Sequence, residues 1–322
     1  MAGTRPAMTM GACRMNVGFI GLGTMGRNVA LNVRRAGYEM VVYDIRAEAI
    51  APLARKGAAA ASSPADVLDR CDAVVTMVYG PKEIAQVLRG PSGLLSTSCA
   101  GKFWIDLTTS RPSLMRDLAA EFRAKGGRPI DAPVTGSVDS AIRGDMLMFV
   151  GGEDADIEPA RPLIEAMGEI RRVGIYGNGY VAKLVNNQLW KIHAAAIGEA
   201  MVVAKLAGLE PGVWWSAMKS GAADSFVLQH DVPSIFAGHY DPSFPIALCL
   251  KDLGLIEELI AETGARCELT RSTHDRFKEA RERYGDGAGE MTVCKLIEDD
   301  AGVSLRVAGD WTPPWEAKHP RE

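Results

Sequence analysis

Short apolar runs alternate with helix-forming segments over the first half of the chain. This alternation is typical of βαβ units in a parallel sheet, so the first half is predicted to be an α/β domain. The helix predicted over 25–35 ends before Gly37, which suits a left-handed cap. The predicted strands are 16–20, 40–43, 73–78, 103–107, 129–131, 146–150 and 171–173.

The pattern changes after Gly179. Helix-forming residues without proline run from 180 to 207, with Gly198 as the weakest position, which predicts a helix of about 28 residues and roughly 42 Å. Further helices are predicted over 211–220, 250–263, 273–284 and 291–300, so the second half is predicted to be all-α. We expect a first domain over 15–178, a helical domain over 179–308 that begins with a long interdomain helix over 179–207, and flexible termini over 1–14 and 309–322.

Charge and composition narrow the class of protein. The 322 residues include 36 Lys and Arg against 40 Asp and Glu, without the basic excess of a nucleic-acid binder, so no nucleic-acid partner is expected. The longest apolar stretch is interrupted by Glu199 and Lys205, and no membrane segment is predicted. The first 14 residues lack the apolar centre of a secretory signal, and the six cysteines form no C-x-x-C pair, so we expect a cytoplasmic protein. The five histidines lack ligand spacing, so no metal site is predicted.

A glycine-rich turn joins the first strand to the first helix. In its G-x-G-x-x-G pattern, Gly21 makes the turn, Gly23 admits a pyrophosphate and Gly26 permits close helix packing. Asp44 ends the second strand, where a carboxylate can accept both ribose hydroxyls and repels a 2′-phosphate. NAD is therefore predicted as the cofactor, and Arg46, which could pair a phosphate, keeps NADP as an alternative. The predicted cofactor residues of this turn are Gly21, Gly23, Thr24, Met25, Gly26 and Asp44.

Four further segments add to this fingerprint. They are Asp106-Leu-Thr-Thr109-Ser-Arg-Pro112, Asp131-Ala-Pro-Val-Thr-Gly-Ser137, Gly177-Asn-Gly-Tyr-Val-Ala-Lys183-Leu-Val-Asn186-Asn187 and Lys251-Asp-Leu253. In order and spacing the five segments resemble the β-hydroxyacid dehydrogenase family, which contains 3-hydroxyisobutyrate dehydrogenase and, more distantly, 6-phosphogluconate dehydrogenase. The resemblance implies a Rossmann-type first domain, an all-helical second domain, a homodimer or homotetramer, and NAD-dependent oxidation of a small β-hydroxyacid or the reverse reduction.

Lys183 and Asn187 are the candidate catalytic residues. They are four residues apart and share one face of the long helix, where the two domains must meet. A lysine whose pKa is lowered by burial or by a neighbouring cation can accept the proton of a carbinol that loses its hydride. A solvated helix face is the alternative explanation. With the resemblance, Lys183 is expected to be the general acid and base, and Asn187 to orient the substrate hydroxyl.

Thr135, Gly136 and Ser137 are the candidate substrate residues in the first domain. They follow a predicted strand and offer hydroxyl and N–H donors to a carboxylate, although an ordinary turn has the same composition. The family has Ser-Gly-Gly here, so Ser137 departs from its pattern, as does Ser140 further on. These departures leave the identity of the acid open.

The remaining candidates also follow from the resemblance. Thr109 matches a family threonine beside the nicotinamide ribose, with a helix N-cap as the alternative. Val78 and Tyr79 replace the family's Leu-Pro on the adenosine side, so contact through their backbone is expected. Lys251 matches a lysine near both cofactor and substrate. Phe244 is expected to line the substrate pocket or, equally well, to pack in the core.

Two other functions share this architecture. An imine reductase of this fold generally carries Asp or Tyr where Lys183 stands, and a non-catalytic NAD-binding interaction module has no need of this lysine. The presence of Lys183, Asn187 and Lys251 favours a dehydrogenase.

Overall fold

The computed structural model describes residues 15–312, and nine strands in this part of the chain form one sheet. Their order is β3-β2-β1-β4-β5-β6-β8-β7, with β9 also paired to β8. The strands are β1 Val17–Ile20, β2 Met40–Tyr43, β3 Ala59–Ala60, β4 Ala73–Thr76, β5 Phe103–Asp106, β6 Arg128–Asp131, β7 Val134–Thr135, β8 Leu147–Gly151 and β9 Glu169–Gly174.

The predicted parallel sheet is confirmed for the row of strands from β3 to β6. The far edge differs, because β8 runs antiparallel to β6 and β7 and parallel to β9. Two strands were not predicted. Each of them, β3 and β7, has only two residues, which is too short for an apolar repeat to be recognised.

Helices cover both faces of the sheet, which explains why every residue of β1, β4 and β5 is buried. One face packs against Val33 and Leu163, and the other packs against Leu88 and Phe122. Proline stands in the first turn of three of these helices, a position where its missing N–H costs nothing. The helices are α1 Thr24–Arg35, α2 Ala47–Ala54, α3 Pro64–Arg70, α4 Pro81–Arg89, α5 Pro112–Ala124, α6 Val138–Arg143 and α7 Asp154–Met167.

The predicted long helix is α8 Asn178–Leu206, whose 29 residues extend about 43 Å from the sheet into the second half of the chain. Its start is held by Asp131, whose carboxylate accepts hydrogen bonds from the Gly177 N–H (3.2 Å) and the Gly179 N–H (2.7 Å). A Cβ on Gly179 would lie 2.4 Å from the Phe149 carbonyl oxygen, so only glycine fits. These contacts fix the first turns of α8, and with them Lys183, against the sheet.

The second half of the described chain is helical, as predicted. The apolar core includes Leu184, Met201, Ile256 and Phe277. Gly198, the weak position of the predicted helix, lets the last described helix approach α8, because a Cβ there would lie 3.1 Å from the Cys294 Cα. The short helix Val232–Ala237 and the π-helical turn Val227–Asp231 before it were not predicted. The helices are α9 Pro211–Met218, α10 Val232–Ala237, α11 Ile246–Thr263, α12 Glu268–Tyr284 and α13 Thr292–Ala301.

The ends of the chain were predicted to be flexible. Residues 1–14 and 313–322 lie outside the described residues. Residues 309–312 are described, and there the Trp311 ring lies 5.8 Å from the Trp215 ring and 5.1 Å from the Phe236 ring, so Trp311 packs on the helical core. The domain boundary at 178 stays a prediction. None of the helices in the described part of the chain is long and apolar enough to span a bilayer.

Candidate active site

The glycine turn between β1 and α1 has the geometry of a phosphate cradle. Gly21 has φ +95°, and a Cβ there would lie 2.2 Å from the Met77 carbonyl oxygen. A Cβ on Gly26 would lie 2.1 Å from the Gly21 carbonyl oxygen, so the helix packs directly on the turn. At Gly23 a Cβ would meet no described atom within 4 Å, which leaves room for a pyrophosphate. No described side chain caps α1, so the N–H groups of Thr24 and Met25 can hold an anion.

Asp44 lies beside this turn at the end of β2. Its carboxylate accepts from the Leu22 N–H (2.7 Å) and the Arg46 N–H (2.9 Å), which orient it toward the glycine turn. The Arg46 guanidinium Nε is 3.5 Å from the same carboxylate. The carboxylate can accept hydrogen bonds from ribose hydroxyls, and the guanidinium is near enough to pair with a 2′-phosphate.

The loops after β4 and β5 complete this side of the cleft. Val78 lies against the turn, since a Cβ on Gly21 would be 3.0 Å from its Cγ1. Its N–H donates to the buried Thr108 hydroxyl at 3.2 Å, which joins the two loops. Thr109, the predicted cofactor residue, is half-buried beside Thr108 and makes no hydrogen bond to the described residues. Exposed Tyr79 accepts a hydrogen bond through its carbonyl oxygen from Lys251 Nζ (2.9 Å), so this loop contacts α11.

Three lysines and an amide surround Asp252, which is only 1% exposed. Asn187 donates to Asp252 Oδ2 at 2.7 Å, Lys251 Nζ is 3.0 Å from Oδ1, and Lys191 Nζ is 3.8 Å from Oδ2. Burial by itself raises the pKa of Asp252, but the charges of Lys251, Lys191 and Lys183 outweigh this effect and lower it. The carboxylate therefore stays ionised and joins α11 to α8.

Lys183 meets the conditions for a proton-transfer group. Burial lowers the pKa of Lys183 to about 8; Asp252 opposes this shift, while Lys191 and Lys251 add to it. No described residue forms a hydrogen bond with its amine, although it lies on the same face of α8 as Asn187. Its proton can therefore be exchanged with a substrate.

The predicted substrate loop lies against the start of α8. The Thr135 hydroxyl accepts from Asn186 Nδ2 at 3.1 Å, and Gly136 has φ +124°, a left-handed conformation that favours glycine. The Ser137 hydroxyl donates to Asp139 and lies 3.3 Å from His230 Nε2. The structure thus brings this loop against Asn186, in the part of α8 that also carries Lys183. On the helical side, the Phe244 ring centroid lies 5.8 Å from Lys191 Nζ.

Sequence reasoning missed the histidine of this cleft. His230 Nδ1 is 2.6 Å from Asp231 Oδ1, and its Nε2 is 3.4 Å from Asp139 Oδ1. Burial by itself lowers the pKa of His230, but the two carboxylates outweigh this effect and raise it to about 10, so the ring is an imidazolium. No local pattern around residue 230 indicates this position. Asp252 and Lys191 could have been found from the Lys251-Asp pair and from the i+8 spacing to Lys183.

Three carboxylates, those of Asp231, Asp241 and Glu290, converge beside this histidine, with ligand atoms within 4.8 Å of one another. They come from separate segments, so no ligand spacing in the sequence predicts them. Burial and the charges of Asp231 and Asp241 raise the pKa of Glu290 well above its ordinary value. Because His230 already supplies positive charge to this group, the carboxylates by themselves do not indicate a metal site.

Comparison with known proteins covers both halves of the chain. Residues 16–178 match the family described as the NAD binding domain of 6-phosphogluconate dehydrogenase, and residues 177–297 match the family described as NAD-binding of NADP-dependent 3-hydroxyisobutyrate dehydrogenase. The chain is 32% identical to mitochondrial 3-hydroxyisobutyrate dehydrogenase of Mus musculus, over 83% of this chain and 82% of that protein. It is 30% identical to L-threonate dehydrogenase of Cupriavidus necator, over 88% of this chain and 96% of that protein.

Solved structures agree with these relatives. Mycobacterium tuberculosis 3-hydroxyisobutyrate dehydrogenase with L-serine has a TM-score of 0.81 and 27% identity, covering 88% of this chain and 99% of that one. An imine reductase of Streptomyces aurantiacus has a TM-score of 0.57 and 21% identity, covering 88% of this chain and 99% of that one, a likeness that shows a shared fold alone.

Proposed function

The chain belongs to the β-hydroxyacid dehydrogenase family, and we propose from this premise that it moves a hydride between NAD and the carbinol carbon of a small β-hydroxyacid. The observation that carries the proposal is Lys183, whose amine has a pKa lowered to about 8 by burial and makes no hydrogen bond within the described residues. A helix-face lysine that served only solubility would keep an ordinary pKa.

Lys183 is the general base in oxidation and the general acid in reduction. The bound dinucleotide supplies the hydride acceptor of the oxidation. The neutral Lys183 amine takes the hydroxyl proton as the carbinol becomes a carbonyl, and its ammonium returns that proton in the reverse reaction. Asn187 orients the hydroxyl, and its hydrogen bond to Asp252 keeps the amide in place. Lys251 lies between the Tyr79 carbonyl and Asp252, and we assign it to contact with cofactor and substrate.

The substrate carboxylate is proposed to bind at Thr135, Gly136 and Ser137. The Thr135 hydroxyl contacts Asn186 near the start of α8, Gly136 has a left-handed conformation, and the His230 imidazolium adds positive charge beside Ser137. For the cofactor, Asp44 favours NAD. Arg46, 3.5 Å from its carboxylate, keeps use of NADP open to measurement.

We also propose a homodimer or homotetramer in the cytoplasm. Apolar side chains stand exposed on one helix, α8, at Val185, Leu189, Val203 and Leu206, and a second copy of the chain would cover them. The five described cysteines are free thiols, which suits a reducing compartment. Light scattering of the purified protein measures the assembly, and a monomer at micromolar concentration would contradict it.

The decisive experiment replaces Lys183. We expect Lys183→Ala to lower kcat for hydroxyacid oxidation by about 10²–10⁴-fold while the dissociation constant of NAD is unchanged. Lys183→Arg should restore little, because a guanidinium does not release its proton near neutral pH. Lys205→Ala, on the same helix but paired with Glu210 away from the cleft, is the matched control. A near-normal kcat in Lys183→Ala, or faster reduction of cyclic imines than of any oxoacid by the unmutated protein, would refute the proposal.

A further inference from the structure

Lys191 is a buried ammonium without a hydrogen-bond acceptor among the described residues. Only 2% of the residue is exposed, and its one ion pair is the 3.8 Å approach to Asp252 Oδ2. At 3.8 Å this approach is longer than a hydrogen bond, so Asp252 does not satisfy the ammonium donors of Lys191. The Nζ atom of this buried residue is not itself fully enclosed, so a ligand in the cleft can reach it and supply the missing acceptor.

The position of Lys191 connects this acceptor to the substrate. Lys183, Asn187 and Lys191 follow each other at intervals of four residues and lie on one face of α8. Asn187 and Lys191 approach the same oxygen of Asp252, Oδ2. The Lys191 ammonium is therefore close to the amide that orients the reacting hydroxyl. The Phe244 ring, 5.8 Å from Nζ, lies beside it.

The surroundings of Lys191 combine aromatic rings with polar groups. The Trp190 ring centroid lies 5.1 Å from Lys191 Nζ, and its indole N–H donates to Asp231 at 2.9 Å. Besides Asp231, the carboxylates here are those of Asp241 and Glu290, and no described residue donates a hydrogen bond to the Glu290 side chain. If a methyl group lay here, the Lys191 ammonium and the Glu290 side chain would both stay unpaired. A hydroxyl group can accept from the ammonium and donate to the carboxyl group.

We propose that Lys191 is a specificity-determining residue that binds a hydroxyl group of the substrate beyond the one that is oxidised. The substrate class is then a polyhydroxylated acid and not an acid with an alkyl branch. A second carboxylate in place of this hydroxyl is disfavoured, because it would face Asp231, Asp241 and Glu290. This inference rests on the proposed function and adds the nature of the second substituent.

The test compares acids that vary the substituent on the carbon between the carboxylate and the carbinol carbon. In 3-hydroxy-2-methylpropanoate, 2,3-dihydroxypropanoate and 2-(hydroxymethyl)propanedioate, a methyl, a hydroxyl and a second carboxylate occupy this position. The acid 3-hydroxypropanoate has only hydrogen there, and 2,3,4-trihydroxybutanoate extends the hydroxylated chain. The variant is Lys191→Met, which keeps the aliphatic stem and removes the ammonium. Lys205→Met is the control on the same helix, and Lys191→Gln keeps an amide donor.

In the unmutated enzyme we expect kcat/KM to be at least about tenfold higher for the hydroxylated acids than for the methyl acid. Lys191→Met also removes a charge that lowers the pKa of Lys183, so the acids are compared above the pH inflection of each enzyme. There it should lower the ratio of kcat/KM for the hydroxylated acids to that for 3-hydroxypropanoate by about 10–100-fold. Lys191→Gln should recover part of the loss, and Lys205→Met should behave as the unmutated enzyme does.

Two results would overturn the role of Lys191 while leaving the dehydrogenase proposal intact. One is a preference of the unmutated enzyme for the methyl acid or for 2-(hydroxymethyl)propanedioate, and the other is an equal loss on all acids, above the pH inflection, in Lys191→Met and Lys191→Gln. If Lys191→Met does not fold, as judged by its thermal unfolding, the proposal is tested by Lys191→Gln and by the preference of the unmutated enzyme among the acids. Absence of turnover of every acid with both NAD and NADP would overturn the proposed function as well.

Discussion

The pKa of Lys183 controls the pH dependence of both reaction directions. Burial lowers it from 10.5 to about 8, which corresponds to about 3 kcal/mol of destabilisation of the ammonium form. At pH 7 a lysine with this pKa is neutral in about 9% of molecules, against about 0.03% for an ordinary lysine. The environment therefore supplies about 300-fold more free base at neutral pH.

The pH dependence of kcat/KM has opposite signs in oxidation and in reduction. Oxidation needs the neutral amine, so kcat/KM should rise about tenfold per pH unit below pH 8 and level off above it. Reduction needs the ammonium, so its kcat/KM should be level below pH 8 and fall above it. Initial rates of NADH formation and consumption between pH 6 and pH 10.5, at constant ionic strength, measure both profiles.

Two variants test the cause of the shift. Lys251→Met removes a like charge and should move the inflection upward, whereas Asp252→Asn removes an opposite charge and should move it downward. Lys205→Met, away from the cleft, should leave it unchanged. An inflection of the unmutated enzyme near pH 10.5, a flat profile, or movement of both cleft variants in one direction would refute the electrostatic reasoning.

Three further predictions concern other parts of the molecule. Asp44→Ala should lower the ratio of kcat/KM with NAD to that with NADP by at least about tenfold, and an unchanged ratio would contradict the role of the carboxylate. Gly179→Ala should cost about 2 kcal/mol or more in the free energy of unfolding by urea, because its Cβ would lie 2.4 Å from the Phe149 carbonyl oxygen; wild-type stability would show that the helix start can shift. The pKa of His230 is raised from 6.5 to about 10, so the stabilisation of the fold by this group is complete below pH 6.5 and is lost as the pH rises through about 10. The difference in free energy of unfolding between the unmutated protein and His230→Gln should therefore shrink over that range, and a constant difference would count against the imidazolium.

Local patterns identified seven of the nine described strands and, apart from α10, the α-helices of the second half, because their causes are local. An apolar run such as β4 is buried on both faces, so its composition already differs from that of a loop. The glycine turn is local in part, since a Cβ on Gly26 would meet the carbonyl oxygen of Gly21, whereas a Cβ on Gly21 would meet that of Met77 after β4. Where the signal is short, as in β3, or where helical geometry changes within a few residues, as before α10, no pattern marked the element.

The residues of the candidate site also divide into those placed by local geometry and those placed by tertiary contacts. Spacing of four residues along a helix puts Lys183 and Asn187 on one face whatever surrounds them, so the sequence by itself determined that pair. It also determined the glycine turn and the strand-end carboxylate of Asp44. These features depend on helix and strand geometry, which is the same in every protein.

Only the tertiary structure decided what surrounds that pair. His230 reaches Ser137 from 93 residues away along the chain, and Asp252 reaches Asn187 from 65 residues away. The lowered pKa of Lys183 comes from burial in the folded chain, with further contributions from the charges on α8 and α11. Coulombic interaction and desolvation depend on distance and solvent exposure in three dimensions, and neither quantity can be read from the order of residues.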